Sequence, residues 1–204
     1  MSHPIDTKSF NLILGSQSPR RKALLQEMGF SFSCISLDID EQFDREKYKA
    51  AEITDHLARK KANAYPDLQA RDILITSDTT VWVNNQSLEK ASSEKEAIEM
   101  IRSLSNQKHS VYTSVCIKSI HQEKTFSDET KVYFRTITDE EITYYVQNYR
   151  PYDKAGAYGI QEWIGLIGIE KIEGNYFTVM GLPTTLLYHE LKQFVEQESL
   201  YYNT

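Results

Sequence analysis

Asn11-Leu12-Ile13-Leu14-Gly15-Ser16-Gln17-Ser18-Pro19-Arg20-Arg21 is the stretch whose reading decides the fold, and Lys22-Ala23-Leu24-Leu25-Gln26-Glu27-Met28-Gly29 follows it. The order predicts a strand, a tight turn and a helix. Gly15 permits the turn, Ser18 can cap the helix, Pro19 suits its first position, and Gly29 can end it. A helix start carries unpaired N–H groups and a partial positive charge, so it attracts anions. Ser16, Ser18, Arg20 and Arg21 turn that attraction toward phosphate, because a guanidinium grips phosphate oxygens bidentately. The same run also fits a well-capped surface helix with solvated arginines. From these residues alone both readings stand.

The surrounding composition is that of a globular chain. Its 204 residues suffice for a real core, with 40% hydrophobic and 25% charged residues. A net charge of −6 disfavours nonspecific nucleic-acid binding, and no basic-aromatic stripe offsets it. An acidic protein can still bind a polyanionic small molecule if its basic groups converge. Cys34 and Cys116 are far apart in sequence and fit reduced core thiols rather than a disulfide framework. Met1 to Asp6 shows neither a basic n-region nor an apolar h-region, and no apolar run approaches the ~20 residues of a membrane span. A cytoplasmic protein without membrane contact is expected.

Working outward, Ser31 to Leu37 predicts a strand that ends at Asp38-Ile39-Asp40-Glu41. Tyr48 to Ala64 predicts a helix, with Ile53, Leu57 and Ala64 on one face and Pro66 beyond it. Ile73 to Thr76 predicts a short buried strand with Asp78 at its end, and Val81-Trp82-Val83 runs on, extended, into an Asn84-Asn85 turn. Ser93-Glu94-Lys95-Glu96 and Thr138-Asp139-Glu140-Glu141 match capping boxes. Ala97, Met100, Ile101 and Leu104 follow the first box, and Ile142, Tyr145, Val146 and Tyr149 the second. His109–Ile120 and Thr125–Thr136 predict a hairpin, and a last helix begins near Pro183. Interleaved strands and helices with one antiparallel hairpin make the class α/β with a mixed sheet.

Four further clusters could carry chemistry. Asp78, amid Thr76-Ser77-Asp78-Thr79-Thr80, stands where ligands gather in α/β sheets, though an Asp also caps turns. Asp38-Ile39-Asp40-Glu41 offers hard oxygen donors for Mg²⁺ or Mn²⁺, or is an ordinary acidic turn. Lys61 and Lys90 offer cations or are solvated surface lysines. Tyr152-Asp153-Lys154-Ala155-Gly156-Ala157-Tyr158-Gly159-Ile160-Gln161 fits neither a regular helix nor a strand, and its glycines let backbone approach a ligand. Five scattered histidines give no zinc spacing, and no Walker A run, dinucleotide fingerprint or nucleophile elbow is present.

In sequence order these pieces resemble the Maf family of nucleoside triphosphate pyrophosphatases. The carriers are Ser16-x-Ser18-Pro19-Arg20-Arg21, Asp40-Glu41, Leu57-Ala58-x-x-Lys61-Ala62, Ser77-Asp78-Thr79, Lys90, His109-x-Val111-x-Thr113, Asp153 to Gln161, and Gly181-Leu182-Pro183. The likeness runs from Leu12 to about Leu187. It implies an elongated mixed β-sheet flanked by helices in two lobes with a central cleft, related to the inosine-triphosphate pyrophosphatases. One such domain is expected over 1–204, with its core at about 11–198.

The resemblance also implies hydrolysis between the α and β phosphates, with Asp78 as proton acceptor and Lys61 and Lys90 as catalytic cations. Ser16, Ser18, Arg20, Arg21 and Lys154 would hold phosphates, and Glu41 with Asp78 would hold a divalent cation, Mg²⁺ or Mn²⁺. Arg20, Thr79 and Gln161 match the branch preferring dTTP and UTP, and Arg20 argues against the branch acting on 7-methyl-GTP. A homodimer that cleans nucleotide pools, modified pyrimidine nucleotides included, is the implied protein. A non-catalytic nucleotide-binding regulator of cell division would need the same pocket. Three departures from the family pattern stand out: Ala91 after Lys90 where Pro is usual, Asn106 where Gly often stands, and Thr76-Ser77 before Asp78. The first would loosen the placement of Lys90.

Overall fold

Ser18 caps the first helix as its position suggests. Its hydroxyl accepts the Arg21 N–H at 3.4 Å, and Pro19 opens the helix. In the computed structural model, which describes residues 3–202, this unit is β1 (Asn11–Gly15), the turn, and α1 (Pro19–Glu27). Gly29 ends it with φ +84°, a left-handed conformation that costs glycine little. Met1, Ser2, Asn203 and Thr204 lie outside the described residues.

The chain continues through β2 (Ser33–Ile35), α2 (Ala51–Asn63), β3 (Asp72–Val83), β4 (Gln86–Leu88), α3 (Glu94–Leu104) and β5 (Lys108–Lys118). β6 (Glu123–Phe134), α4 (Asp139–Tyr149), α5 (Trp163–Gly168), β7 (Ile169–Glu173), α6 (Tyr176–Met180) and α7 (Thr184–Ser199) complete it. The seven strands form one mixed sheet in the order β2-β1-β3-β5-β6-β7, with β4 also on β3. β1 runs parallel to β2 and β3, whereas β3, β5, β6 and β7 are successively antiparallel. The expected α/β class and mixed sheet are what the chain adopts.

Two apolar cores flank the middle of the long strands. Near one end, Leu14, Ile73, Ile75, Val115 and Ile117 pack on Leu24 and Leu25 of α1 and on Leu187, Leu191 and Phe194 of α7. On the other sheet face, Ile13, Leu74 and Cys116 meet Ala58 and Ala62 of α2. At the far end, Val81, Val83, Val111, Val132 and Phe134 pack under Ile101 and Leu104 of α3 and Ile142, Tyr145 and Val146 of α4. Each fully buried aliphatic side chain contributes ~1.5–3 kcal/mol, so each end is held by its own core.

Several local expectations are corrected. Asp78 does not end a strand, because β3 runs unbroken for 12 residues and Leu74 to Trp82 pair continuously with β5. The threonines at 76, 79 and 80 are β-branched and suit a pleated strand as well as a turn. Ala64 caps α2 in the open instead of lying on its buried face, and Tyr149 is exposed. Cys116 is a core thiol, raised by burial to about 11, but Cys34 is exposed on the edge strand β2. The capping box at Thr138 is complete. At Ser93 only half forms: its hydroxyl accepts the Glu96 N–H, and the Glu96 carboxylate accepts from Ser92.

Candidate active site

Thr76 to Thr80 lie in the gap between the two cores. β1 pairs with β3 only as far as Ile75, and the pairing of β3 with β4 begins only at Val81. The backbone of the five residues between is paired with β5 alone, so one edge of β3 is left open beside the carboxyl end of β1. Ligands collect at such places in α/β sheets. A cleft of about 700 Å³ occupies this gap. The turn after β1, the 37–43 segment, α2, the Glu89-Lys90 edge, the 153–161 loop and Gly181 enclose it.

Every residue that the sequence nominates lines this one cleft: Ser16, Ser18, Arg20, Arg21, Glu41, Lys61, Asp78, Thr79, Lys90, Lys154 and Gln161. Of the acidic run, Asp38 and Glu41 reach the cleft, whereas Asp40 accepts the Gln42 N–H in its own loop. The backbone of Lys90 bridges to Ala155, its ammonium lies 3.0 Å from Glu41 Oε2, and Ala91 is buried. The backbone of Lys90 is thus held in place without a proline after it. Thr76 and Ser77 satisfy their hydroxyls on the carbonyls of Ala58 and Gly181. Asn106 adopts φ +56°, the conformation that a glycine there would supply.

Charges alternate across the floor. Lys61, carried on the buried face of α2, donates to Asp78 Oδ1 at 2.6 Å and lies 2.8 Å from Glu41 Oε1. The second Asp78 oxygen accepts nothing among the described residues. Burial alone would raise the Glu41 carboxyl, but the charge and hydrogen bond of Lys61, with help from Lys90, bring it down to about 2. On the opposite wall Arg20 reaches Asp153 at 2.8 Å, and Lys154 contacts Asp153 and Glu162 at 2.7 and 2.9 Å. Burial works against the Asp153 carboxylate, yet Lys154 and Arg20 outweigh it and hold its pKa low.

Arg21 turns inward. It donates to the Gly181 carbonyl at 2.8 Å, to Thr79 Oγ1 at 3.1 Å and to Ser16 Oγ at 3.4 Å. Burial lowers its pKa. Thr113 donates its hydroxyl hydrogen to the Thr178 carbonyl at 2.7 Å, so the 3.0 Å contact between Thr79 and Thr113 is donated by Thr79. Thr79 thus accepts from Arg21, gives its hydrogen to Thr113, and keeps one free lone pair. Beneath the 153–161 loop, His109 Nε2 is 2.8 Å from the Tyr158 hydroxyl, and burial brings its imidazole down to about 3, which leaves it neutral. Sequence reasoning did not assign Asp153 or Glu162 any role. Their only signal was proximity to Lys154 and Gln161.

This arrangement can surround a multiply charged anion and hold a carboxylate against it. Two hard oxygen donors, Glu41 and Asp78, stand on the same wall, although no group of three or more His, Cys, Asp or Glu residues converges among the described residues. None of the described helices is long and apolar enough to cross a membrane.

The model of the Maf-like protein family matches residues 11–194. A dTTP/UTP pyrophosphatase of Flavobacterium johnsoniae is 46% identical over 189 residues, covering 92% of this chain and 97% of that one. A dTTP/UTP pyrophosphatase of Bacteroides thetaiotaomicron is 44% identical over 186 residues, covering 90% and 96%. The solved structure of the Staphylococcus aureus Ham1 protein aligns at a TM-score of 0.40 and 14% identity, over 61% of this chain and 71% of that one, too loosely to add to the fold described above. With the family model spanning both cores and the cleft between them, the chain belongs to the Maf family.

Proposed function

We propose that this protein is a nucleoside triphosphate pyrophosphatase that hydrolyses dTTP and UTP, and pyrimidine nucleotides modified elsewhere on the base, to the monophosphate and pyrophosphate. The observation that carries the reading is the convergence of five cations and Asp78 on one cleft. Water attacks the α-phosphorus, the α–β anhydride breaks, and pyrophosphate leaves with the bonding electrons. Positioning and electrostatics supply most of the acceleration in such reactions. The free oxygen of Asp78 takes the proton of the attacking water, and Lys61 keeps that carboxylate oriented. Arg20, Lys90 and Lys154 hold phosphate oxygens with the Ser16–Ser18 turn, and Arg21 adds charge from behind it.

The charge balance supports a divalent cation. Along the cleft lining Arg20, Arg21, Lys61, Lys90 and Lys154 are matched by Asp38, Glu41, Asp78, Glu89 and Asp153, five against five, which leaves no net charge. A triphosphate brings roughly four negative charges. Glu41 and Asp78 suit Mg²⁺ or Mn²⁺, which take one or two carboxylates plus substrate phosphates. When bound, the ion would neutralise phosphate charge and polarise the α-phosphate.

Thr79 supports the preference for thymine and uracil. Its remaining lone pair can only accept, which complements the imide N–H of those bases; cytosine carries no hydrogen on that ring nitrogen. Gln161 is exposed at the cleft and offers both a donor and an acceptor. A site that hydrogen-bonds a base edge rejects the wrong base strongly, because a mismatch leaves buried polar groups unpaired. In a panel of dTTP, UTP, CTP, GTP, ITP and 7-methyl-GTP, pyrophosphate release is expected for dTTP and UTP and to fall at least tenfold for CTP. Nucleotide binding with no release from any of the six would instead make the protein a sensor.

The reading places the protein with cytoplasmic nucleotide pools, and we propose that it works as a homodimer. Leu166, Tyr144 and Tyr149 are exposed apolar side chains of the α4–α5 lobe that a second copy would cover. Light scattering should give a mass near 47 kDa, twice the 23.6 kDa chain; a monomer mass refutes the dimer.

A further inference from the structure

We propose that Glu162, which lies outside the cleft, is the positioning residue for Lys154. The inference rests on the reading of the cleft as a nucleoside triphosphate site. Lys154 is only 9% exposed at its side chain and has two carboxylate partners of different character. Asp153 stands in the cleft, is 55% exposed, and is shared with Arg20. Phosphate oxygens that bind Arg20 and Lys154 compete directly with it. Glu162 is 20% exposed and is held from behind.

That hold has a defined direction. The Gly159 N–H donates to the Tyr145 hydroxyl at 3.0 Å, and the Tyr145 hydroxyl donates to Glu162 Oε2. Tyr145 is fully buried on α4 in the second core. The remaining oxygen, Oε1, lies 2.9 Å from Lys154 Nζ. Glu162 occupies the residue before α5 yet makes no side-chain cap bond there, so its carboxylate is not committed to the helix. Its backbone N–H closes a turn on the Gly159 carbonyl at 3.0 Å, and that turn exposes Gln161. One residue thus ties a phosphate-binding ammonium and the base-reading amide to the same core tyrosine. When substrate displaces Asp153, Glu162 is the counterion that remains. It keeps the Lys154 ammonium in place and limits the cost of leaving it in a dry wall.

The test is a double-mutant cycle of Glu162→Gln and Lys154→Met. It reads affinity for α,β-imido-dUTP by calorimetry and KM and kcat for UTP, with the melting temperature of each variant. Glu162→Gln should weaken analogue binding and raise KM about tenfold, with kcat changed far less, the scale of one lost charge-assisted contact. In the Lys154→Met background it should add nothing. Glu162→Asp, which keeps the charge and shortens the reach, should fall between wild type and Glu162→Gln and replaces it in the cycle if that variant does not fold. Unchanged binding in Glu162→Gln, or full additivity in the double variant, overturns the proposal. Analogue binding by wild type without pyrophosphate release from dTTP or UTP would sink the hydrolase reading alone, with the binding cycle still deciding on Glu162. No analogue binding by wild type overturns both.

Discussion

Asp78→Asn is expected to lower kcat for dTTP by ~10²-fold or more while nucleotide affinity stays within a few-fold of wild type. The substitution preserves shape and the hydrogen-bond acceptor facing Lys61, and Lys61 keeps its contact with Glu41 at 2.8 Å. The fold should therefore survive, and single-turnover kinetics would report on chemistry alone. An amide oxygen accepts a hydrogen bond from water but takes its proton far less readily than a carboxylate does. Turnover near the wild-type level would remove Asp78 from the role of base and leave it a partner for Lys61.

Lys61→Met should produce the largest loss of stability, together with loss of activity. Lys61 and Asp78 are 9% and 8% exposed, and the substitution keeps the length of the stem while removing the charge between two carboxylates. Breaking a buried pair by deleting one partner costs ~3–5 kcal/mol. For a chain of this size that corresponds to a fall in melting temperature of roughly 6–20 °C. Adding Asp78→Asn should recover part of the loss, because the uncompensated charge then disappears. The pH dependence has a definite sign. Glu41 is depressed to about 2 from an ordinary value of 4.5, so the contribution of its ion pair is present above about pH 4.5. It fades as pH falls through the folded value, and the advantage of wild type over Lys61→Met should narrow across that window. Equal melting temperatures at pH 7 would contradict this account.

Local signals were the legible part of the sequence. Ser18, Pro19 and Gly29 each act through backbone groups within a few residues, so β1 and α1 could be read from spacing. The same holds for the box at Thr138 and the β5–β6 hairpin. The continuity of β3 through Thr76–Thr80 was not legible, because a polar run resembles a strand end until its partner strand is known. α5, β7 and α6 were missed for the same reason. They are short, and β7 exists only because Lys131 to Phe134 offer an edge for it to pair with. At the site, the side chains to which the resemblance gives a role all line the one cleft. Their pairings were hidden, since Arg21 meets Gly181 across 160 positions and Lys61 meets Asp78 across 17. Glu162 was invisible because its meaning comes from Tyr145, a residue on another helix.

The three long strands that run through both cores, β3, β5 and β6, have a mechanical consequence. β3 and β5 are hydrogen-bonded without interruption past the cleft floor, and β6 pairs with β5 over the same stretch, so three strands tie the lobes together there. Opening of the cleft then requires a shared twist of three paired strands, a stiff coordinate with small amplitude. Asp78 rides at the midpoint of that torsion bar, where a given twist displaces it least. Larger excursions fall to the appendages on either side, the 37–43 segment and the 153–161 loop. The protein can thus admit and release a bulky anion while Asp78 stays almost stationary.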